Sequence, residues 1–146
     1  MIKKAFEINK IDFEKEKFFL FYGENEGFKN EIIKNNIELN NKKNIYRYDE
    51  KEILDNKENF FSSIYSKSFF ENKKIVIISR ASDKIKDIIE EIIEKKISDL
   101  IIVLNSGILE KKSKLRNLFE KNKSSICVAF YPDNNQTLSA IVNNFF

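Results

Sequence analysis

Phe18-Phe19-Leu20-Phe21-Tyr22-Gly23 decides how this chain is read. Five large apolar residues in a row leave no face for water, so the run suits a strand covered on both sides, as in a parallel sheet. Gly23 stops it. Ile75-Val76-Ile77-Ile78 and Leu100-Ile101-Ile102-Val103-Leu104 are runs of the same kind, rich in the β-branched residues that pack well in sheets. Ser125-Ile126-Cys127-Val128-Ala129-Phe130 is another, ended by Pro132. Asn44-Ile45-Tyr46-Arg47-Tyr48 reads as a shorter strand, and Ala5-Phe6-Glu7-Ile8 alternates as an edge strand would.

Between the strands lie helical patterns. Phe28, Ile32, Ile33 and Ile37 recur at helical spacing, and residues 51–65 place Ile53, Leu54, Phe60, Phe61, Ile64 and Tyr65 on one face. Ser82 stands at an N-cap position before the stripe Ile85, Ile88, Ile89, Ile92 and Ile93. Residues 114–121 carry Leu115, Leu118 and Phe119, and Leu138, Ile141, Val142, Phe145 and Phe146 mark a last helix. Apolar strands alternating with amphipathic helices predict an α/β fold, a parallel five-stranded sheet with helices on both faces. Residues 1–146 make one domain by size. The end on Phe145-Phe146 reads as a domain cut from a longer chain, its last apolar residues meant for something downstream.

Composition narrows function. Apolar content of 42% and charged content of 34% describe a protein that can bury a core. The net charge is +3 with lysines and acids interspersed, a weak field that does not indicate nucleic-acid contact. No apolar run nears the ~20 residues that span a bilayer, and Met1-Ile2-Lys3-Lys4 begins no signal peptide. One cysteine, Cys127, cannot form an internal disulfide, which fits the reducing cytoplasm. Without histidine the chain lacks the commonest general base and metal ligand. No metal or cofactor is expected.

The motifs with chemical potential read poorly as catalysts. Gly23-Glu24-Asn25-Glu26-Gly27 follows the first buried strand, where a phosphate-binding loop would sit. Such a loop needs G-x-x-x-x-G-K-[ST], with amides around the phosphates and Lys on them. Here Phe28 follows the second Gly, and Glu24 and Glu26 would repel phosphate. Ser79-Arg80 stands where an ATPase would place acids for magnesium. Asn105-Ser106 could polarise a water, but Asn-Ser-Gly reads better as a plain turn. Cys127 reads as a buried inert thiol, and residues 87–91 as the solvated face of a helix.

That leaves Phe69-Phe70, two aromatics between a helical pattern and a charged turn. The core could take them under the sheet edge. Yet the preceding helix already has a complete apolar face and the following strand is aliphatic. Rigid aromatics beyond what the core requires suit a binding hot spot.

At these residues the chain resembles the delta subunit of the bacterial DNA polymerase III clamp loader, in its N-terminal domain. The likeness rests on Leu20-Phe21-Tyr22-Gly23 with an acid and a second Gly after it, and on Ser68-Phe69-Phe70 followed by Lys73-Lys74-Ile75-Val76-Ile77-Ile78. Leu100-Ile101-Ile102-Val103, Lys111-Lys112-Ser113-Lys114-Leu115 and Phe130-Tyr131-Pro132 extend it over essentially the whole chain. The resemblance implies a RecA-like domain of the AAA+ type with a degenerate nucleotide site and no catalysis of its own. It implies that Phe69 and Phe70 insert into a pocket of the sliding clamp (the beta subunit), with Ser68 shaping the turn, so that the clamp is helped open during DNA replication. Other clamp-loader subunits would bind through helical domains beyond this chain, within the DNA polymerase III holoenzyme. Tyr65 departs from the Gln carried by many clamp-binding peptides. The rival readings are a small P-loop-like nucleotide-binding hydrolase and a receiver-like signalling domain.

Overall fold

The computed structural model describes residues 2–4, 17–38, 45–65, 74–97, 100–122 and 125–130. The first strand, β1, is Ile2–Lys4, and β2 is the quoted run Phe18–Tyr22. Helix α1, Glu26–Ile33, continues into a π-type turn at Lys34–Glu38. Strand β3, Ile45–Asp49, precedes α2, Glu50–Asp55, and α3, Lys57–Tyr65. Strand β4, Lys74–Ala81, leads through a 3-10 turn at Asp83–Ile85 into α4, Lys86–Lys95. Strand β5 is Leu100–Ser106, α5 is Lys114–Lys121 and β6 is Ser125–Ala129.

The sheet is parallel throughout, in the order β1-β6-β2-β5-β4-β3. The five expected strands are present. A sixth, β1, adds to the edge by pairing Ile2 with Cys127, before the segment 5–8 that the alternation singles out. That segment, the last helical pattern and Ser68, Phe69 and Phe70 lie outside the described residues.

Alternation along β2 divides the core. Phe18, Leu20 and Tyr22 face a cluster with Ile53, Phe60, Ile89, Leu115 and Phe119, drawn from α2 to α5. Phe19 and Phe21 face the other cluster, with Ile32 and Ile33 of α1 and Phe130. Burying side chains of this size contributes roughly 1.5–3 kcal/mol each relative to exposure.

The single helix expected over residues 51–65 is two helices. Asn56 leaves helical geometry at φ −148° and its side-chain oxygen accepts from Asn59 N–H at 3.3 Å, recapping the chain. Asp49 caps α2 in the same way, accepting from Lys51 N–H at 3.2 Å. Ser82 does cap, but it caps the 3-10 turn that precedes α4, through Lys84 N–H at 3.3 Å.

Strand order also removes one rival. Receiver domains share the flavodoxin-like order, with the first strand between the second and third. Here β2 lies between β5 and β6, and two strands, β5 and β4, stand between β2 and β3, the strands on either side of α1 in sequence.

Candidate functional site

In open parallel sheets, ligands bind in the crevice beyond the carboxyl ends of the strands. A crevice of about 550 Å3 lies there, lined by Glu26, Asn30, Ser79, Arg80, Ala81, Asn105 and Gly107. Three structural features fix its chemistry.

The first is the β2–α1 loop. Gly23 adopts φ +119°, and a Cβ on it would collide with the backbone of Phe130. The loop is therefore clamped between its neighbours. Gly23 N–H donates to Gly107 O at 2.9 Å, and Asn25 N–H donates to Phe130 O at 3.1 Å. Glu26 N–H donates to Glu24 O at 2.8 Å, and Phe28 N–H to the Asn25 side-chain oxygen at 3.2 Å. A phosphate cradle works by offering free amides to the anion. These four are committed within the chain.

The second feature is Lys29, fully buried on the inner side of α1. Its ammonium donates to Ser106 O at 2.5 Å and to Glu26 Oε1 at 2.6 Å. Burying a charge is tolerated only where partners replace water, and here an exposed carboxylate and a strand-end carbonyl do so. Sequence reading passed over this residue. Its signal was present: Lys29 stands one turn before Ile32 and Ile33 on the apolar stripe, with an acid three residues earlier.

The third is the rim from β4 and β5. Asn105 and Ser106, expected in a turn, are the last residues of β5, and both are buried. Tertiary partners override their turn preference: Asn105 Nδ2 donates to Asn30 Oδ1 at 3.1 Å, and Lys29 holds the Ser106 carbonyl. Asn105 Oδ1 and Ser106 Oγ have no hydrogen-bond partner among the described residues. Opposite them, Arg80 sits at φ +55° where the β4–β5 register shifts between Ser79 and Ala81. Its exposed guanidinium pairs with Asp49 through Nε at 2.5 Å. Arg80 is a cation where an ATPase would hold magnesium with acids.

Behind the crevice, polar ties fasten the helices. The buried Glu50 carboxylate accepts from Ser82 N–H at 2.8 Å and from its hydroxyl at 2.9 Å. Asp83 Oδ1 accepts from Ser113 Oγ at 2.5 Å and from Leu115 N–H at 3.1 Å, at the start of α5. Burial would raise the Asp83 carboxyl, but these hydrogen bonds, with Lys114 nearby, outweigh it and hold the group below its ordinary value. Arg116 reaches back to Leu109 O at 3.1 Å and lies over the Tyr22 ring at 5.0 Å, fixing the loop after β5. Cys127 is buried in β6; burial first, and then the Glu120 carboxylate, push its thiol up to about 12. Such a thiol is inert, as its pattern predicts.

Of the residues read as clamp anchors, the structure describes the approach. Helix α3 ends at Tyr65, 39% exposed, its ring stacked on Phe61 at 5.6 Å with 18° between planes. Phe61 meets Phe60 at 6.0 Å and Phe60 meets Tyr48 edge-on at 5.1 Å, so a run of rings leads from core to surface.

Among the described residues no three or more acidic or thiol side chains gather as a metal site would require, and no helix is long and apolar enough to cross a membrane. No protein-family model matches the chain, and comparison with curated proteins gives no match.

Proposed function

We propose that this chain is a clamp-binding domain of the delta type: a RecA-like, AAA+-type scaffold that presents Phe69 and Phe70, after Ser68, to the hydrophobic pocket of a ring-shaped sliding clamp. The observation that carries the reading is the β2–α1 loop. It occupies the ligand position of a parallel α/β fold, yet its Gly23 and Asn25 amides are spent on Gly107 and Phe130 and Lys29 is turned inward. This supports a nucleotide fold put to a non-catalytic use. The all-parallel order with β2 flanked by β5 and β6 is consistent with it.

The stacked, half-exposed Tyr65 adds support from the other side, because rigid aromatic surface lies three residues before Ser68. Binding of this kind acts mechanically. A partner shifts the clamp between closed and open rings only by its differential affinity for the two. Two aromatic anchors of a few kcal/mol each are of the right order to bias one ring interface. On this reading other loader subunits would be further partners.

Calorimetric titration of a bacterial sliding clamp tests the reading. Phe69→Ala with Phe70→Ala should keep the melting temperature and weaken binding by roughly two orders of magnitude or more. Unchanged affinity in the double variant rejects it. The hydrolase reading requires ATP with magnesium to raise the melting temperature by linkage; the committed loop amides argue against any such shift.

A further inference from the structure

Beside the crevice at the strand ends two acceptors converge, the Glu26 carboxylate and the Ser106 carbonyl, while Arg80 brings its own charge to the opposite rim; Asn105 Oδ1 and Ser106 Oγ, buried at the same end of β5, have no hydrogen-bond partner among the described residues. Oxygen-rich surroundings of this kind take a cation or a multiple N–H donor, not an anion. One is already there. Lys29 Nζ lies 2.6 Å from Glu26 Oε1 and 2.5 Å from Ser106 O, with its side chain sealed from solvent.

We propose that this is a cation site which the chain occupies itself: the Lys29 ammonium is the resident ligand, and it locks α1 and the β2–α1 loop to the end of β5. An ammonium brings three donors on a flexible stem and so reaches both the Glu26 carboxylate and the Ser106 carbonyl without a fixed coordination geometry. Glu26 is the outward half of the lock, 61% exposed and one turn from Lys29. This inference is independent of the clamp reading, since no clamp enters its test.

Chemical rescue tests it. Lys29→Ala removes the stem and ammonium and vacates a buried space the size of n-propylammonium. The melting temperature should fall by roughly 5–10 °C, the order expected for stranding buried polar partners in a domain this size. Tens of millimolar n-propylammonium should recover at least half of that loss in the variant. It should do nothing for the native protein, and n-propanol, with the same stem and no charge, should recover far less. Equal rescue by propanol, an equal shift in the native protein, or no loss on substitution overturns the proposal. Should Lys29→Ala not fold, Lys29→Met decides it. Methionine fills the volume without the charge, so a marked loss of melting temperature supports the site and native stability overturns it.

Discussion

Gly23→Ala is the sharpest test of how the strand-end loops are held. The residue sits at φ +119°, a region that side chains rarely adopt, and strain of this kind costs about 1–3 kcal/mol. The added methyl would also press on the Phe130 carbonyl and lie 2.9 Å from Phe130 N, too close for either to stay. Relief means moving Phe130 away from β2. That breaks Phe130 N–H to Tyr22 O at 2.6 Å and Asn25 N–H to Phe130 O at 3.1 Å. At about 1 kcal/mol net for each bond, the total comes to roughly 3–5 kcal/mol, a large part of the ~5–15 kcal/mol that holds a domain together.

Gly27→Ala supplies the opposite sign within the same loop and helix. A Cβ at Gly27 meets nothing within 4 Å, and alanine in a helix gains up to about 1 kcal/mol over glycine. Urea unfolding followed by far-ultraviolet circular dichroism reads both. The midpoint should drop steeply for Gly23→Ala and stay level or rise for Gly27→Ala. A loss below about 1 kcal/mol at Gly23 would refute the reasoning, because it would mean that the loop re-forms at little cost away from Phe130.

Other outcomes follow from the polar ties and the buried thiol. Asp83 has a folded value below its unfolded one, so its contribution is complete above the ordinary carboxylate range and is lost as pH falls through the lowered value. Acid titrations of stability should therefore flatten in Asp83→Asn below the ordinary carboxylate range, under about pH 4, and an unchanged pH slope would show that the α5 tie carries nothing. With its thiol pushed up to about 12, Cys127 is roughly one ten-thousandth thiolate at pH 8, against about a quarter for a free cysteine. A thiol reagent should label it only as fast as the domain opens, with a rate that rises with denaturant; rapid labelling of the folded protein would contradict its placement in the core.

The fold was legible where side chains report both faces of an element. The continuous apolar runs of β2, β4, β5 and β6 follow from burial under helices on either side, and the structure places them there. What escaped reading lacks such a report. Strand β1 is Ile2-Lys3-Lys4, and it exists through backbone pairing with β6, which no hydrophobic pattern records. The break at Asn56 is invisible to periodicity because Ile53 and Phe60, seven residues apart, stay on one side of the core across it. Asp55-Asn56 did carry the capping preference that breaks a helix, but an unbroken apolar face outweighs it on the page.

The crevice shows the same division between side-chain and backbone information. That the loop lacks the phosphate-binding Lys and hydroxyl is plain from Phe28 and Lys29 standing after Gly27. That its backbone is also engaged depends on Gly107 and Phe130, residues far along the chain, and no local pattern could show it. The two losses reinforce each other. Side chains alone could be restored by a few substitutions, but amides bonded to neighbouring strands are unavailable to any anion until those strand ends part. Lys29 makes parting harder, since it would leave the Ser106 carbonyl without its buried donor. A domain fastened in this way resists opening at its strand ends. The proposed docking role would draw on rigidity of that kind, with α3 ending on a Tyr65 ring that is 39% exposed and stacked on Phe61.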